Sequence, residues 1–498
     1  MASEAAALNP LDLAVIGAYL LLTLAIGLVL TQRSATAEDY FLGARRLPAW
    51  AVMLSVVATE TSALTVISVP GIAARGDYTF LQLAFGYLIG RIGVAIWLLP
   101  GYFSGSQQTA YQRLQARFGV PTRQALSVVF LLTRLLADGV RIFAGAIPLA
   151  LVTGWDVGWA IVAMGALTLL YTAFGGLRAV VWADVLQLAV FVAGGVAVLL
   201  VALPLAGGAE QVWARAAEAG KLQLIDLRLD APFGLLGGLI GGALLSAASH
   251  GTDHLIVQRL LATRSLAQAR LALVGSGVLV IAQFTLFLAV GTALWAGGHA
   301  PEGLRGDELF PRFVVEQLPA GLAGLVIAGV LAAAMSTISS SISALASSMT
   351  HDLYATWSGR DDGAHLLRVG RAFSLLWGGL LTATALGFLF FVGERDTPVV
   401  VLALSVASAT YGALLGAVLL AGPLGGAWRG GAHDVASRVA GRDVIAGAAV
   451  SVAAMLLLVA TTRLSFVWTV PAGTLLCVAV ARGAAAWRAF SARRNPPA

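Results

Sequence analysis

The chain has 498 residues, of which 59% are hydrophobic and only 11% are charged. Because an average soluble domain is roughly 25% charged, this composition excludes a soluble protein. The net charge of +6 comes from basic residues spread over short loops, a pattern of membrane orientation rather than of nucleic-acid binding. The single cysteine, Cys477, excludes a disulfide framework and a thiolate metal site.

Apolar stretches of about 20 residues recur along the whole chain, and each is long enough to cross a bilayer. The first stretch is too long for the apolar part of a signal peptide and follows an acidic start with Glu4, so we expect it to be retained. The segments 206–231 and 297–318 are expected to be surface hairpins or amphipathic helices. We predict thirteen spans, near 11–31, 50–69, 79–100, 125–152, 157–175, 179–205, 232–257, 271–296, 319–350, 371–393, 399–421, 444–461 and 465–481.

The distribution of arginine between successive loops predicts the orientation of the chain. If the N-terminus lies outside, most of the basic residues fall in loops on the cytoplasmic side. This asymmetry predicts an external N-terminus, a cytoplasmic C-terminus and an odd number of spans. The expected location is the inner cell membrane, with multiple passes.

Two of the predicted spans are interrupted by polar residues that disfavour a continuous helix. The second span contains a run of Thr, Glu and Ser inside 55–71, and the seventh contains Ser, His, Gly and Asp inside 246–259. Interrupted helices at corresponding positions of two halves are typical of inverted-repeat transporters with a site near the membrane midplane. Because the two spans lie five apart, their halves would have opposite orientations.

The ninth span carries a stripe of hydroxyl groups. The stripe shares one helical face because its members lie three, four and seven residues after the first: Ser336, Ser339, Ser340 and Ser343. One interpretation is helix packing through small residues, with hydroxyls bonded to the preceding turn. The other is a cage for a monovalent cation, completed by carbonyls that are released where the second span unwinds, near Ala58 and Thr61.

Charged residues inside predicted spans are functional candidates, because an unpaired charge in the hydrocarbon is costly. Asp184 is open to two interpretations, a functional carboxylate or an ordinary solvated carboxylate near a helix end. The candidates are Glu60, Arg91, Arg134, Asp138, Arg141, Asp184 and Asp253, the last flanked by His250 and His254.

Arg134, Asp138 and Arg141 share one helical face. They form either a structural ladder of ion pairs or a grip in which one guanidinium binds a substrate carboxylate. His250 and His254 have i, i+4 spacing without a third ligand, which favours a satisfied or pocket-lining pair over zinc. No motif indicates a redox cofactor or a phosphate-binding loop.

Several motifs, in order, resemble the sodium/solute symporter family over about residues 38–420. They are E-D-Y-F-L-G-A-R-R-L-P at 38–48, A-Y-Q-R-L-Q-A-R-F-G at 110–119, Y-T-A-F-G-G-L-R-A-V-V-W-A-D-V-L-Q at 171–187, G-T-D-H-L-I-V-Q-R at 251–259 and A-A-A-M-S-T-I-S-S-S at 332–341. This family includes bacterial proline, galactose and sialic acid transporters, and the chain resembles the sialic acid branch most in the stretch T-S-A-L-T-V-I-S-V-P at 61–70.

The resemblance implies an all-α membrane fold with a five-plus-five, LeuT-like inverted repeat and alternating access driven by sodium. It divides the single transporter domain, 1–498, into a leading helix at 11–31, a first repeat at 50–205 and a second repeat at 232–421. Trailing helices follow at 444–481, and a basic tail at 482–498.

The resemblance also implies sites. A first sodium site would comprise Ala58, Thr61, Ala333, Ser336 and Thr337. A second, found in some members, would comprise Asp184, Ser336, Ser339 and Ser340. The substrate pocket between the broken helices would include Glu60, Ser62, Thr65, Phe80, Arg141, His250 and Asp253.

The chain departs from the family pattern at three positions. The arginine that holds the carboxylate in sialic acid transporters aligns with Ala137, which leaves Arg134 or Arg141 as candidates for that role. Ser343 stands where many members have Asn, and Ala183 replaces the usual Thr before Asp184.

We therefore expect a sodium-coupled symporter of a small polar organic solute, such as an amino acid or an acidic sugar. A proton-coupled symporter and a non-transporting solute sensor are the alternatives. An enzyme is not expected, since no nucleophile–base pair is evident. The expected partners are the solute, sodium and the lipid bilayer, without nucleic acid, and a monomer is sufficient. Whether one or two sodium ions move per cycle stays open.

Overall fold

The computed structural model describes residues 9–29, 36–105, 107–228, 231, 233–301, 303–304, 306–391, 399–422, 439–462 and 466–494. Apart from short connections and one isolated bridge between Leu47 and Thr263, this part of the chain is helical. The helices are α1 (Pro10–Val29), α2 (Ala37–Leu42), α3 (Ala49–Glu60), α4 (Ala63–Arg75), α5 (Phe80–Gly93), α6 (Leu99–Phe103), α7 (Gln112–Phe118), α8 (Val120–Thr153), α9 (Val157–Leu205), α10 (Ala209–Glu218), α11 (Gly242–Gly251), α12 (His254–Leu261), α13 (Leu266–Ala296), α14 (Gly306–Gln317), α15 (Leu322–Ser348), α16 (Ala355–Ser358), α17 (Gly363–Phe391), α18 (Val399–Ala421), α19 (Gly441–Thr461) and α20 (Phe466–Arg494).

Eight helices of this described part are long and apolar enough to cross a membrane, or nine if α3 and α4 form one bent span. The multi-span membrane architecture expected from the sequence is thus confirmed, while the count of thirteen stays a prediction. The predicted ends at 30–31, 392–393 and 465, and residue 232, lie outside the described residues. The predicted basic tail is helical up to Arg494, since α20 continues through it.

Helix α9 has 49 residues, which at about 1.5 Å each exceeds twice the thickness of the hydrocarbon core. Its backbone is interrupted at Gly176, with φ 58° and ψ −164°. This position separates the two spans predicted at 157–175 and 179–205. A Cβ atom at Gly176 would lie 2.5 Å from the carbonyl oxygen of Tyr40, so glycine is required by space as well as by φ.

Both interrupted spans are broken as predicted. Helices α3 and α4 are inclined by 67°, and the break is at Thr61 and Ser62. The break between α11 and α12 is at Thr252 and Asp253. Helix-starting side chains produce both breaks: Ser62 caps α4, and Asp253 Oδ1 accepts a hydrogen bond from the Leu255 amide (2.9 Å) at the start of α12.

Helix α15 lies at the centre of the molecule, packed against α3, α8 and α9. In an 18-residue apolar window of its span, 89% of the residues are buried, the highest share among the eight candidate spans of the described chain. The hydroxyl stripe therefore faces protein on all sides rather than lipid. A helix in this position brings its hydroxyls to both the break in α3–α4 and the second half of α9.

Candidate functional site

A small cavity lies where the break between α3 and α4 faces α15. Its volume of about 10 Å³ is room for about one water molecule or one ion. Four of the five residues predicted for the first sodium site line it. The lining is Ala58, Thr61, Gln187, Leu188, Phe191, Ala332, Ala333 and Ser336. Thr337 is absent from this lining, and its hydroxyl donates to the carbonyl of Ala333 (3.2 Å).

The break releases backbone oxygen atoms at the cavity. Helix α3 ends at Glu60, where the amide of Thr61 still donates to the Val57 carbonyl (3.0 Å). The next amide, of Ser62, donates instead to Thr65 Oγ1 (3.4 Å). The Ala58 carbonyl thus belongs to the last turn, whose oxygens lose their helical partners. Such carbonyl oxygens, with hydroxyls, are ligands that hard cations prefer.

Gln187 is a cavity residue that the sequence analysis did not select. Its Oε1 atom is buried and has no hydrogen-bond partner within the described part of the chain, whereas Nε2 donates to Tyr19 (3.4 Å). An unpartnered buried amide oxygen is costly unless a ligand satisfies it. The available signal was its position three residues after Asp184, on the same face of α9.

Asp184 is fully buried, so its interpretation as a solvated helix-end carboxylate is wrong. Its Oδ1 accepts a hydrogen bond from Ser336 (2.6 Å) and its Oδ2 accepts one from Ser55 (2.5 Å). Ser340 lies beside them, bonded to Thr59 Oγ1 (3.1 Å). Three of the four residues predicted for the second sodium site are therefore together.

Ser339, the fourth, does not join this group by hydrogen bonding, because its hydroxyl donates to the carbonyl of Ser336 (3.1 Å). Ser336 is common to both groups, since it lines the cavity and contacts Asp184. This shared position agrees with the two overlapping sets that the family resemblance implied.

A positively charged side chain of the protein itself contacts Asp184. Arg259 on α12 has no exposed surface, and its Nη2 lies 3.1 Å from Asp184 Oδ2. The same guanidinium donates to Ser55 (2.9 Å), to Ser340 and to the Leu255 carbonyl (2.9 Å). From the sequence, Arg259 was expected only as part of a family motif and as one of the loop arginines on the cytoplasmic side. It is fully buried instead, and a buried arginine requires a buried partner.

Glu60 lies at the end of α3 and contacts two residues of neighbouring helices. Its Oε2 is paired with the fully buried Arg91 and lies 3.6 Å from His250 Nε2. Arg91 also donates to Ser276 (2.7 Å). The Glu60 side chain is 18% exposed, whereas Arg91 has no exposed surface.

The three charges on α8 have different roles. Arg134 is held by Asp253 (2.6 Å) and by Tyr411 (2.8 Å), and it also lies 3.3 Å from Asp138. Arg134 is therefore part of a structural ladder that crosses three helices. Asp253 is fully enclosed in this ladder, although it was predicted for the substrate pocket.

Arg141 is less engaged than Arg134. It contacts Asp138 at 3.3 Å, and 18% of its side chain is exposed. Arg141 thus keeps donors for a ligand.

The other predicted pocket residues contact one another or neighbouring side chains. Ser62 and Thr65 bond to each other across the first turn of α4 (3.4 Å). Phe80 begins α5 and packs edge-to-face against Phe233 and Phe284, with ring centroids 5.0 and 5.1 Å apart. His250 and His254 diverge, since His254 Nε2 contacts Ser347 (3.0 Å) rather than Glu60.

Comparison with known proteins agrees with this geometry. The model of the sodium:solute symporter family matches residues 40–422. The sodium/sialic acid symporter NanT of Aliivibrio fischeri is 29% identical over 96% of this chain and 93% of its own length. The human sodium-coupled monocarboxylate transporter 1 is 30% identical over 75% of this chain and 63% of its own.

The fold has a solved counterpart. The substrate-bound, outward-open structure of a Na⁺-coupled sialic acid symporter, reported with a novel Na⁺ site, matches with a TM-score of 0.83 at 25% identity. The match covers 96% of this chain and 98% of the other. It confirms the predicted all-α, LeuT-like transporter fold.

Proposed function

This chain belongs to the sodium:solute symporter family and is a sodium-coupled symporter of a small-molecule solute, and we propose that its coupling ion binds at the break between α3 and α4. The observation that carries this proposal is the cavity of single-ion size at that break. The ligands would be the carbonyls of Ala58, Thr61 and Ala333 and the hydroxyls of Ser336 and Thr337. Thr337 would have to turn away from the Ala333 carbonyl, to which it is now bonded.

Gln187 extends this proposed ligand set. Gln187 lines the cavity, its Oε1 has no hydrogen-bond partner among the described residues, and a sodium ion bound there would give this neutral oxygen a partner. All the ligands named for this first site are neutral. The ion therefore enters with its full positive charge, which a solute carboxylate can balance.

A second sodium is proposed at Asp184, with the hydroxyls of Ser336, Ser339 and Ser340. Asp184 and two of these hydroxyls are already in contact through the network described above. Ser339 requires a rotation of its side chain away from the Ser336 carbonyl.

For the solute we propose a small organic acid or amino acid whose carboxylate binds Arg141. Two observations support this choice. Arg141 is the partly exposed guanidinium of α8, with one long contact to Asp138. The similar proteins named above are symporters of sialic acid and of monocarboxylates, according to their names.

The opposite wall of the solute site would be formed by Glu60 and His250 with Ser62, Thr65 and Phe80. Asp253 would act indirectly, by fixing Arg134 and through it the charge ladder next to Arg141. Because Glu60 Oε2 is paired with Arg91, its Oε1 would accept hydrogen bonds from solute hydroxyl or ammonium groups.

Transport would proceed by alternating access between repeats at 50–205 and 232–421, each of which contains one broken helix. The N-terminus would lie outside and the C-terminus in the cytoplasm, in the inner membrane of a bacterium. The arginine distribution between loops supports this orientation.

The experiment is uptake into proteoliposomes with an imposed sodium gradient, after a thermal-shift screen of amino acids, sugars and sugar acids in sodium and in choline. We expect solutes that carry a carboxylate to stabilise the protein only when sodium is present. Uptake should follow the sodium gradient at fixed pH on both sides. Full uptake without sodium under a proton gradient would contradict the sodium site, and stabilisation by neutral sugars alone would contradict the role of Arg141.

A further inference from the structure

The guanidinium of Arg259 contacts the same groups that would hold the second sodium. Nη2 lies 3.1 Å from Asp184 Oδ2 and also donates to Ser340 Oγ. Nε donates to Ser55 Oγ (2.9 Å), whose own proton points to Asp184 (2.5 Å). One side chain of α12 therefore reaches α3, α9 and α15, with no exposed surface on either charged partner.

Charge balance limits what this group can accommodate. A buried carboxylate without a counter-ion is strongly unfavourable, and Arg259 supplies that counter-ion to Asp184. A sodium ion added beside the intact pair would place two cations against one carboxylate. Their mutual repulsion is weakly screened in buried surroundings. Arg259 and sodium should therefore exclude each other from Asp184.

We propose that Arg259 is a tethered cation that competes with the second sodium ion for Asp184. The inference rests on the second sodium site proposed above. Because Arg259 lies on α12, the half of the broken span that follows Thr252 and Asp253, its withdrawal from Asp184 would accompany a displacement of α12 relative to α9 and α15. Sodium bound at Asp184 and the position of α12 in which Arg259 contacts Asp184 then disfavour each other.

The test compares sodium titrations of purified wild type and Arg259→Gln, read as thermal stability without solute, with choline replacing sodium. Glutamine is polar and uncharged, so it removes the competing cation and leaves Asp184 in need of one. We expect the sodium concentration at half-maximal stabilisation to fall about tenfold, within the usual range of coupling between sites. Adding Asp184→Asn to Arg259→Gln should abolish this gain in apparent sodium affinity, because the carboxylate that would bind the sodium ion is then missing.

A second variant covers the case in which Arg259→Gln fails to fold. Arg259→Lys keeps the buried charge but replaces the planar fork of contacts by a single ammonium. The lysine should compete with sodium less well than the arginine does. We therefore expect half-maximal stabilisation at a sodium concentration about threefold lower than in the wild type. Arg488→Gln is the matched control, because it also frees a buried carboxylate, Asp443, but between α19 and α20, and it should leave the sodium titration unchanged.

Two results would overturn the proposal. One is a titration of Arg259→Gln, or of Arg259→Lys if only that variant folds, that coincides with that of a sodium-responsive wild type. The other is a gain that survives Asp184→Asn. A wild type whose thermal stability does not respond to sodium would instead contradict the proposed sodium sites themselves.

Discussion

Ser336 is one of the residues that line the cavity at the α3–α4 break, and its hydroxyl donates a 2.6 Å hydrogen bond to Asp184. One side chain therefore joins a neutral set of oxygens to a buried carboxylate. If sodium occupies both places, the orientation of this hydroxyl depends on both ions. The two sites are then coupled through a direct contact rather than through a long path.

Ser336→Ala should weaken sodium activation more than the loss of any other hydroxyl of α15. A hydrogen bond to a charged group contributes about 1.5–3 kcal/mol, so we expect the half-saturating sodium concentration to rise at least about tenfold. Sodium-dependent uptake in proteoliposomes measures this. Ser451→Ala is the matched control, because Ser451 is equally buried on α19 and bonds the Gly473 carbonyl (2.8 Å) far from the cavity. Equal sodium curves for the two variants would contradict the assignment.

Gln187→Leu should also weaken sodium activation, although the substitution removes an unsatisfied polar atom and should not destabilise the fold. We expect roughly a tenfold rise in half-saturating sodium, from the loss of one ligand, with an unchanged unfolding temperature in choline. Gln82→Leu provides the comparison. Among the described residues, Gln82 also has a buried Oε1 without a hydrogen-bond partner, and its Nε2 donates to the Phe233 carbonyl, but Gln82 does not line the cavity. A sodium defect in both variants would mean that Gln187 acts on the fold rather than on the ion.

Arg141→Gln and Arg134→Gln should separate solute binding from stability. Removing Arg134 leaves Asp253 buried without its main counter-ion, which typically costs about 3–5 kcal/mol, so this variant should unfold at a lower temperature. Removing Arg141 loses one contact of 3.3 Å, so stability should persist while the solute KM rises about tenfold through loss of the carboxylate partner. Uptake and thermal unfolding of both variants provide the measurement. Normal solute affinity in Arg141→Gln would exclude it from the solute site.

Much of this arrangement could be predicted from local sequence. Polar, helix-capping residues inside apolar runs predicted both breaks, because Ser62 and Asp253 favour the start of a new helix whatever packs around them. The hydroxyl periodicity predicted a polar face on α15, and that face is buried at the centre of the protein. These features depend on neighbours in the chain and on a simple helical repeat.

The partners of buried charges could not be predicted in the same way. Arg259 and Asp184 are separated by 75 residues, and their pairing depends on how α12 and α9 are rotated when they pack. Apolar periodicity does not define that rotation in a chain whose helices are apolar on most faces. The partner of Ser339 was equally hard to predict, since its hydroxyl donates to the Ser336 carbonyl of its own helix and not to Asp184.

Gly176→Ala should destabilise the fold without changing the sites directly. The backbone at Gly176 adopts φ 58° and ψ −164°, a region that side-chain-bearing residues avoid at a cost of about 1–3 kcal/mol. The new Cβ would also lie 2.5 Å from the Tyr40 carbonyl. Tyr40 cannot easily move away, since its hydroxyl donates to the carbonyls of Thr172 (3.2 Å) and Ala173 (3.0 Å) just before the kink.

We therefore expect Gly176→Ala to lower the unfolding temperature and the yield of folded protein, while the sodium affinity of the molecules that fold stays normal. Gly379→Ala on α17 is the control, because a Cβ there meets no atom within 4 Å. Alanine should stabilise that helix slightly, by up to about 1 kcal/mol. If both variants had the same thermal stability, the conformation at Gly176 would not be needed to separate the two halves of α9. If Gly176→Ala instead lost sodium affinity at normal stability, the kink would act on Asp184, which lies on the same helix after it.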